Sequence, residues 1–257
     1  MADRSKIVSS FTIVKGALID ETYQTFGTWN LEKSKKENLD RVRSGELISG
    51  SETWRRDVAK VLNRRFDPDR DRALVVLAKG ACPLPAWKSI LLWHITRDEF
   101  LFRDFLVHFL YPLHSSGALR VRQDEVVSYL DTIADRGGIT EHQWTLKTRE
   151  RVAMGLLKMA VDFDLMVGSV HRELTNYHMA DDAFLYVLHA IYQRENNGQR
   201  VIGAEEWKMF MMSACDVQQN LFRLHQFRRL EFQLAGTLGQ LTLPCSSAEQ
   251  FAERMVA

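Results

Sequence analysis

The stretch LKTRERVAMGLLKMAVDF, Leu146–Phe163, decides the fold. Val152, Leu156, Met159, Ala160 and Phe163 recur on one helical face, while Lys147, Arg151 and Lys158 fall on the opposite one. One stripe can pack and the other can meet phosphate. Upstream, Val126, Leu130, Ile133 and Ala134 mark an earlier helix, Gly137 and Gly138 turn the chain, and Thr140 is placed to cap a short helix ending near Trp144. Downstream, Leu165 to Met179 reads as a ribbon carrying Arg172, and Phe184, Leu185, Leu188 and Ile191 set one more helix against it. Helix, turn, short helix, basic helix and ribbon follow in the order of a winged helix-turn-helix. Thr148 and Arg149 sit near the N-terminus of the basic helix, where donors suit phosphate. The stripe offers few Asn or Gln side chains to read bases.

Before this segment, Ile13 to about His114 reads as wholly helical. Ser49 with Glu52 matches a capping box ahead of Trp54, Val58, Val61, Leu62 and Phe66, while Arg56, Lys60 and Arg64 project from the far side. Those three cations are also what an ordinary solvated face would carry. Thr96 with Glu99 matches a second box, opening a helix whose Phe100, Leu101, Phe102, Phe105, Leu106, Phe109 and Leu110 surround most of its circumference, with Pro112 helping to end it. After it, Ser115-Ser116-Gly117 suggests a boundary. At the other end, Trp207, Phe210 and Met211 mark a helix and Ser213 caps the next. Leu230, Phe232 and Leu234 then alternate before a turn at Gly236 to Gly239, and Leu241 and Leu243 alternate again. The expected fold is mainly α: an N-terminal helical bundle (1–118), a winged helix-turn-helix-like module (119–198), and a helix-helix-hairpin module (199–257) that could be a second, smaller winged unit.

Composition narrows the function. The 257 residues carry 34 basic and 33 acidic side chains, a net charge of +1, so nucleic-acid binding requires a local patch. Cys82, Cys215 and Cys245 form no C-x-x-C pair, which disfavours a disulfide framework or a zinc site. The polar start and the lack of an apolar run approaching roughly 18 to 20 residues lead us to expect a soluble, cytoplasmic chain without a membrane partner. No nucleotide-binding, esterase or metalloprotease signature is present. Asp67-Pro68-Asp69-Arg70-Asp71 resembles the opening of a calcium loop, but Arg72 stands where the turn glycine belongs and Ala78 where the closing glutamate belongs. The expectation is no enzyme activity, metal or cofactor.

Several segments resemble the BrxA family of the BREX phage-defence systems. They are Lys15-Gly16-Ala17-Leu18, Glu37-Asn38-Leu39, Ser51-Glu52-Thr53-Trp54-Arg55-Arg56 and Asn63-Arg64-Arg65-Phe66, then the Phe100 to Phe109 helix, Thr148-Arg149-Glu150-Arg151-Val152 and Asp162-Phe163-Asp164-Leu165-Met166. None is a catalytic signature. The resemblance implies a mainly helical, non-enzymatic accessory protein working beside other phage-defence subunits.

Together these readings favour a binder of double-stranded DNA using Lys147, Thr148, Arg149, Arg151, Lys158 and Arg172. Two alternatives stay open. One is a protein adaptor whose basic face meets acidic partners, and the other is an RNA binder led by Arg56, Lys60 and Arg64.

Overall fold

Helices make up 62% and strands 8% of the structure, so the chain is mainly α with small sheets, as expected. The structure, a computed structural model, describes residues 6–140, 142–235 and 238–257. It begins with β1 (Ile7–Val8), α1 (Ser10–Lys15), α2 (Ile19–Gly27), α3 (Lys35–Ser44), α4 (Glu52–Arg65), α5 (Arg72–Lys79) and α6 (Leu84–Asp98). The Phe-rich segment follows as α7 (Phe100–Asp104), a π-helical stretch (Phe105–Leu110) and α8 (Tyr111–Ser115). Next come β2 (Arg120–Val121), α9 (Gln123–Leu130), β3 (Ile139–Thr140), α10 (Leu146–Asp162), β4 (Met166–Val167), β5 (Arg172–Leu174) and α11 (Asp181–Glu195). Last are α12 (Gly198–Ile202), a 3-10 turn (Glu205–Phe210), α13 (Ala214–Gln226), the hairpin β6 (Glu231–Ala235) and β7 (Leu238–Thr242), and α14 (Ala248–Met255).

Four local expectations change. The cap of α4 is Ser51, whose Oγ accepts the Trp54 N–H at 3.2 Å, so the box read from Ser49 and Glu52 does not form. Thr96 lies within α6, its hydroxyl donating to the Leu92 and Trp93 carbonyls, while Glu99 is a buried joint bonded to Arg65. Pro112 does not end the Phe-rich helix. It lies within the uninterrupted helical run 100–115, just after the π-helical stretch. No short helix spans the described residues between Thr140 and Trp144. Ile139 and Thr140 instead pair in parallel with Ile7 and Val8, a partner too distant for local periodicity to reveal.

The ribbon forms where expected, with an addition. β4 and β5 are antiparallel, Met166 facing Leu174, and β2 joins the free side of β5, with Arg120 opposite Glu173. The strand order is therefore β2-β5-β4. Near the C-terminus, β6 pairs antiparallel with β7, Glu231 opposite Thr242. Part of the turn expected at Gly236 to Gly239, residues 236 and 237, lies outside the described residues.

A continuous cluster of buried apolar side chains runs from Val8 in β1 to Ala252 in α14. The C-terminal helix returns to the first part of the chain: α14 packs on α5 and α11, and a Cβ added at Gly80 would collide with Val256.

Buried polar joints stitch this core together. Arg65, fully buried, donates to Glu99 Oε1 at 3.0 Å and to the carbonyls of Thr12, Gly16 and Ala17 at 2.9 to 3.2 Å. His94 lies between Asp71 Oδ1 at 2.7 Å and the Tyr186 hydroxyl at 2.8 Å, joining α6 to the start of α5 and to α11. Burial, reinforced by the Arg97 charge, pushes the His94 pKa down to about 4, so the ring is neutral. A neutral ring here donates from Nδ1 to Asp71 and accepts at Nε2 from Tyr186. Burial opposes ionisation of Asp71, but its hydrogen bond with His94 and the Arg97 and Arg70 guanidiniums hold it well below the usual carboxylate range. Asp104, before the π-helical stretch, accepts from Tyr129 and Arg136, anchoring α9 and the turn after it.

Candidate nucleic-acid interface

Thr145 sets the start of α10, its Oγ accepting the Thr148 N–H at 3.3 Å. From there the helical repeat divides the side chains as the sequence suggests. Val152, Leu156, Met159, Ala160 and Phe163 are buried, whereas Lys147, Arg151 and Lys158 are exposed, with Met154 between them. Among the described residues Lys147 and Arg151 make no hydrogen bond or ion pair within the chain, while Lys158 acts electrostatically on Asp162 one turn further along. Glu150, one residue off the stripe, is the acidic exception.

The flank of this stripe is α1. At Gly155 the two helices approach so closely that an added Cβ would stand 2.8 Å from the Ile13 carbonyl oxygen. A cleft of about 290 Å³ lies alongside, bounded by Ser10, Phe11, Val14 and Lys15 of α1 and by Thr148 and Arg151 of α10. Phe11 carries Lys60 of α4 over its ring at 4.3 Å and Lys15 at 5.5 Å, both within cation–π range. Lys15 also pairs with Asp57 at 2.5 Å. The two basic stripes thus meet across α1, in the order Lys60, Lys15, Arg151. Further along α10, Lys158 shares a polar cleft of about 440 Å³ with Lys15, Lys88, Asp20, Glu21 and Asp162.

The other expected contacts are placed differently. Arg149 turns towards α9, is half-buried and pairs with Asp131, so it braces the helix pair. Arg56 pairs with Glu52 at 3.5 Å, and Arg64 donates to the Ile7 carbonyl at 2.7 Å, holding β1. Arg172 lies in β5 opposite Val121, half-buried, with its Nε hydrogen lacking an acceptor. Burial lowers its pKa. Between the strands, Gly168 has φ +91 and a Cβ there would run into the His171 carbonyl, so this turn requires glycine. Its tip presents Val170, 84% exposed, beside exposed His171. Sequence reasoning missed Phe11 and Lys15 as site residues. Their i, i+4 spacing was visible, but their neighbours lie on α4 and α10.

This belt lies within a region matched by a known family. The family model for BrxA matches residues 9–190. The chain belongs to the BrxA family. Membership implies a component of a BREX phage-defence system. The BrxA match begins just before α1 and ends inside α11, so it takes in α1, α4, α10 and the β4–β5 hairpin. The C-terminal hairpin and α14 lie beyond it. No curated protein matches the chain.

No group of three or more His, Cys, Asp or Glu among the described residues could hold a metal ion. Burial, then the nearby Asp182 carboxylate, raises the Cys82 thiol to about 11, so it stays protonated at neutral pH. Among the described residues, no helix is long and apolar enough to cross a membrane.

Proposed function

We propose that the chain is a non-enzymatic accessory component of its BREX system that binds double-stranded DNA. In this reading α10 enters the major groove, and the β4–β5 hairpin is the wing of a winged helix-turn-helix. The topology supports it: β2, α9, α10 and the hairpin follow in that order, and β2 closes the sheet against β5. The observation that carries the proposal is the exposed stripe of Lys147, Arg151 and Lys158, continued across α1 by Lys60 and by Lys15, which is shared with Asp57. A duplex seated on α10 would run one phosphate strand over α1. About four such contacts give a slope of log affinity against log salt of roughly −3 to −4.

The test is fluorescence anisotropy with duplex DNA, single-stranded DNA and RNA at two salt concentrations, using the wild type and Lys147→Glu/Arg151→Glu. Salt-sensitive duplex binding that is lost in the folded variant is the expected result. Absence of binding at low salt would overturn it. A second reading, a protein adaptor without direct nucleic-acid binding, draws support from Met154, Val167 and Val170, apolar side chains exposed on α10 and the hairpin. Both readings leave room for further phage-defence subunits as partners.

A further inference from the structure

Lys15 stands where the two clefts beside α10 meet. It lines the one it shares with Thr148 and Arg151, and also the one it shares with Lys158 and Asp162. As the last residue of α1 it lies over the Phe11 ring at 5.5 Å, while Lys60 of α4 lies over the same ring at 4.3 Å. A row of phosphates passing from α10 to α4 therefore has to cross Lys15.

This lysine is already engaged. Its ammonium is 2.5 Å from Asp57 Oδ2, and the two side chains are only 28% and 22% exposed. Asp57 projects from α4 three residues before Lys60, so a carboxylate stands beside the line of Lys60, Lys15 and Arg151. The pair is neutral as a unit. Of its three N–H groups the ammonium gives one to Asp57 and keeps two for a phosphate. Sharing does not restore the lost charge, because the carboxylate stays close to any phosphate that Lys15 meets and repels it. Partial burial limits the salt that would screen this repulsion.

We infer that Asp57 is a restraint on this surface: it holds Lys15 and keeps the grip on a duplex weaker, and less dependent on salt, than the row of cations alone would make it. The inference rests on the duplex-binding reading. A purely structural staple between α1 and α4 predicts the opposite, since freeing Lys15 would loosen the helix that carries Phe11 and binding would fall with it.

Duplex anisotropy at two salt concentrations, with thermal unfolding of each variant, tests this. Asp57→Asn should bind about two- to fivefold more tightly at low salt, the scale of one partly exposed charge pair. It should also steepen the slope of log affinity against log salt by about 0.9, as Lys15 becomes a full phosphate contact. Glu253→Gln, which makes the same change in net charge on α14, should bind like wild type. Lys15→Gln should weaken binding, and adding Asp57→Asn to it should recover part of the loss by removing the stranded carboxylate. That second comparison decides the matter if Asp57→Asn alone loosens the fold. Unchanged or weaker binding by folded Asp57→Asn overturns the inference and leaves duplex binding standing. So does a double variant no better than Lys15→Gln, or equal tightening by Glu253→Gln. If neither wild type nor Asp57→Asn binds duplex at low salt, the belt is refuted and the restraint with it.

Discussion

Arg65 shows how much one side chain can organise here. It binds Glu99 and three carbonyls at the end of α1, and so fixes the helix that carries Phe11 and Lys15. Arg65→Met strands the Glu99 carboxylate in the core and is expected to cost about 3 to 5 kcal/mol, read from urea unfolding. Arg65→Met/Glu99→Gln, which removes the stranded charge, should recover part of that loss. If the double variant is no more stable than the single one, the ion pair is not the cause. Sequence did not reveal Arg65's role. In the run Asn63-Arg64-Arg65-Phe66 it looks like a surface arginine, and its acceptors are backbone carbonyls far away in the chain. His94 adds a pH dependence whose sign follows from its depressed pKa. The folded ring stays neutral to about pH 4, whereas an unfolded histidine protonates near 6.5. Stability is therefore intact above pH 6.5 and lost as pH falls from there towards 4, by at most about 3 kcal/mol. His189, also lowered by burial, acts in the same direction. The urea midpoint should drop between pH 7.5 and 5, and by less in His94→Gln. An equal drop in both proteins would acquit His94.

At the level of elements, α10 was the most legible because its apolar and basic stripes obey one helical repeat. The segment before it was not, since β3 exists only by pairing with β1. Nor could periodicity distinguish the π-helical stretch at Phe105–Leu110 from ordinary helix, because both are lined by the same buried rings. The candidate site was half legible: the Lys147, Arg151 and Lys158 stripe is local, but its extension over α1 depends on contacts between helices remote in sequence. Gly155 makes that contact testable. In an exposed helix Gly→Ala gains about 1 kcal/mol of propensity. Here Gly155→Ala should instead destabilise by about 1 to 3 kcal/mol, because the methyl group meets the Ile13 carbonyl. A rise in the thermal midpoint would refute the close approach. Gly168→Ala should disturb the hairpin through its positive φ, leaving far-ultraviolet helicity intact while weakening duplex binding severalfold in the anisotropy assay.

Across the whole molecule, α14 closes the C-terminal part onto α5, although the matched family region ends well before it. Removing residues 245–257 takes away the buried Phe251 and Ala252 and uncovers the apolar surface beneath them. The truncated chain should unfold several degrees earlier in circular dichroism, with the N-terminal helices losing stability too. An unchanged midpoint would mean that α14 docks without supporting them. The return of this helix left no mark in the sequence beyond the Phe251 and Ala252 pair, because its partner surface is made by α5 and α11. The packing of α1 on α10 carries a different consequence, for synthesis on the ribosome. Ile13 emerges about 140 residues before Gly155, which at about 5–20 residues per second is a wait of roughly 7 to 28 s. Throughout that interval α1 has no α10 to lie against, and the belt of Lys60, Lys15 and Arg151 does not exist. On the proposed DNA-binding reading, a nascent chain would be unable to grip nucleic acid with this surface until α10 has left the exit tunnel, which would keep unfinished copies off the DNA beside them.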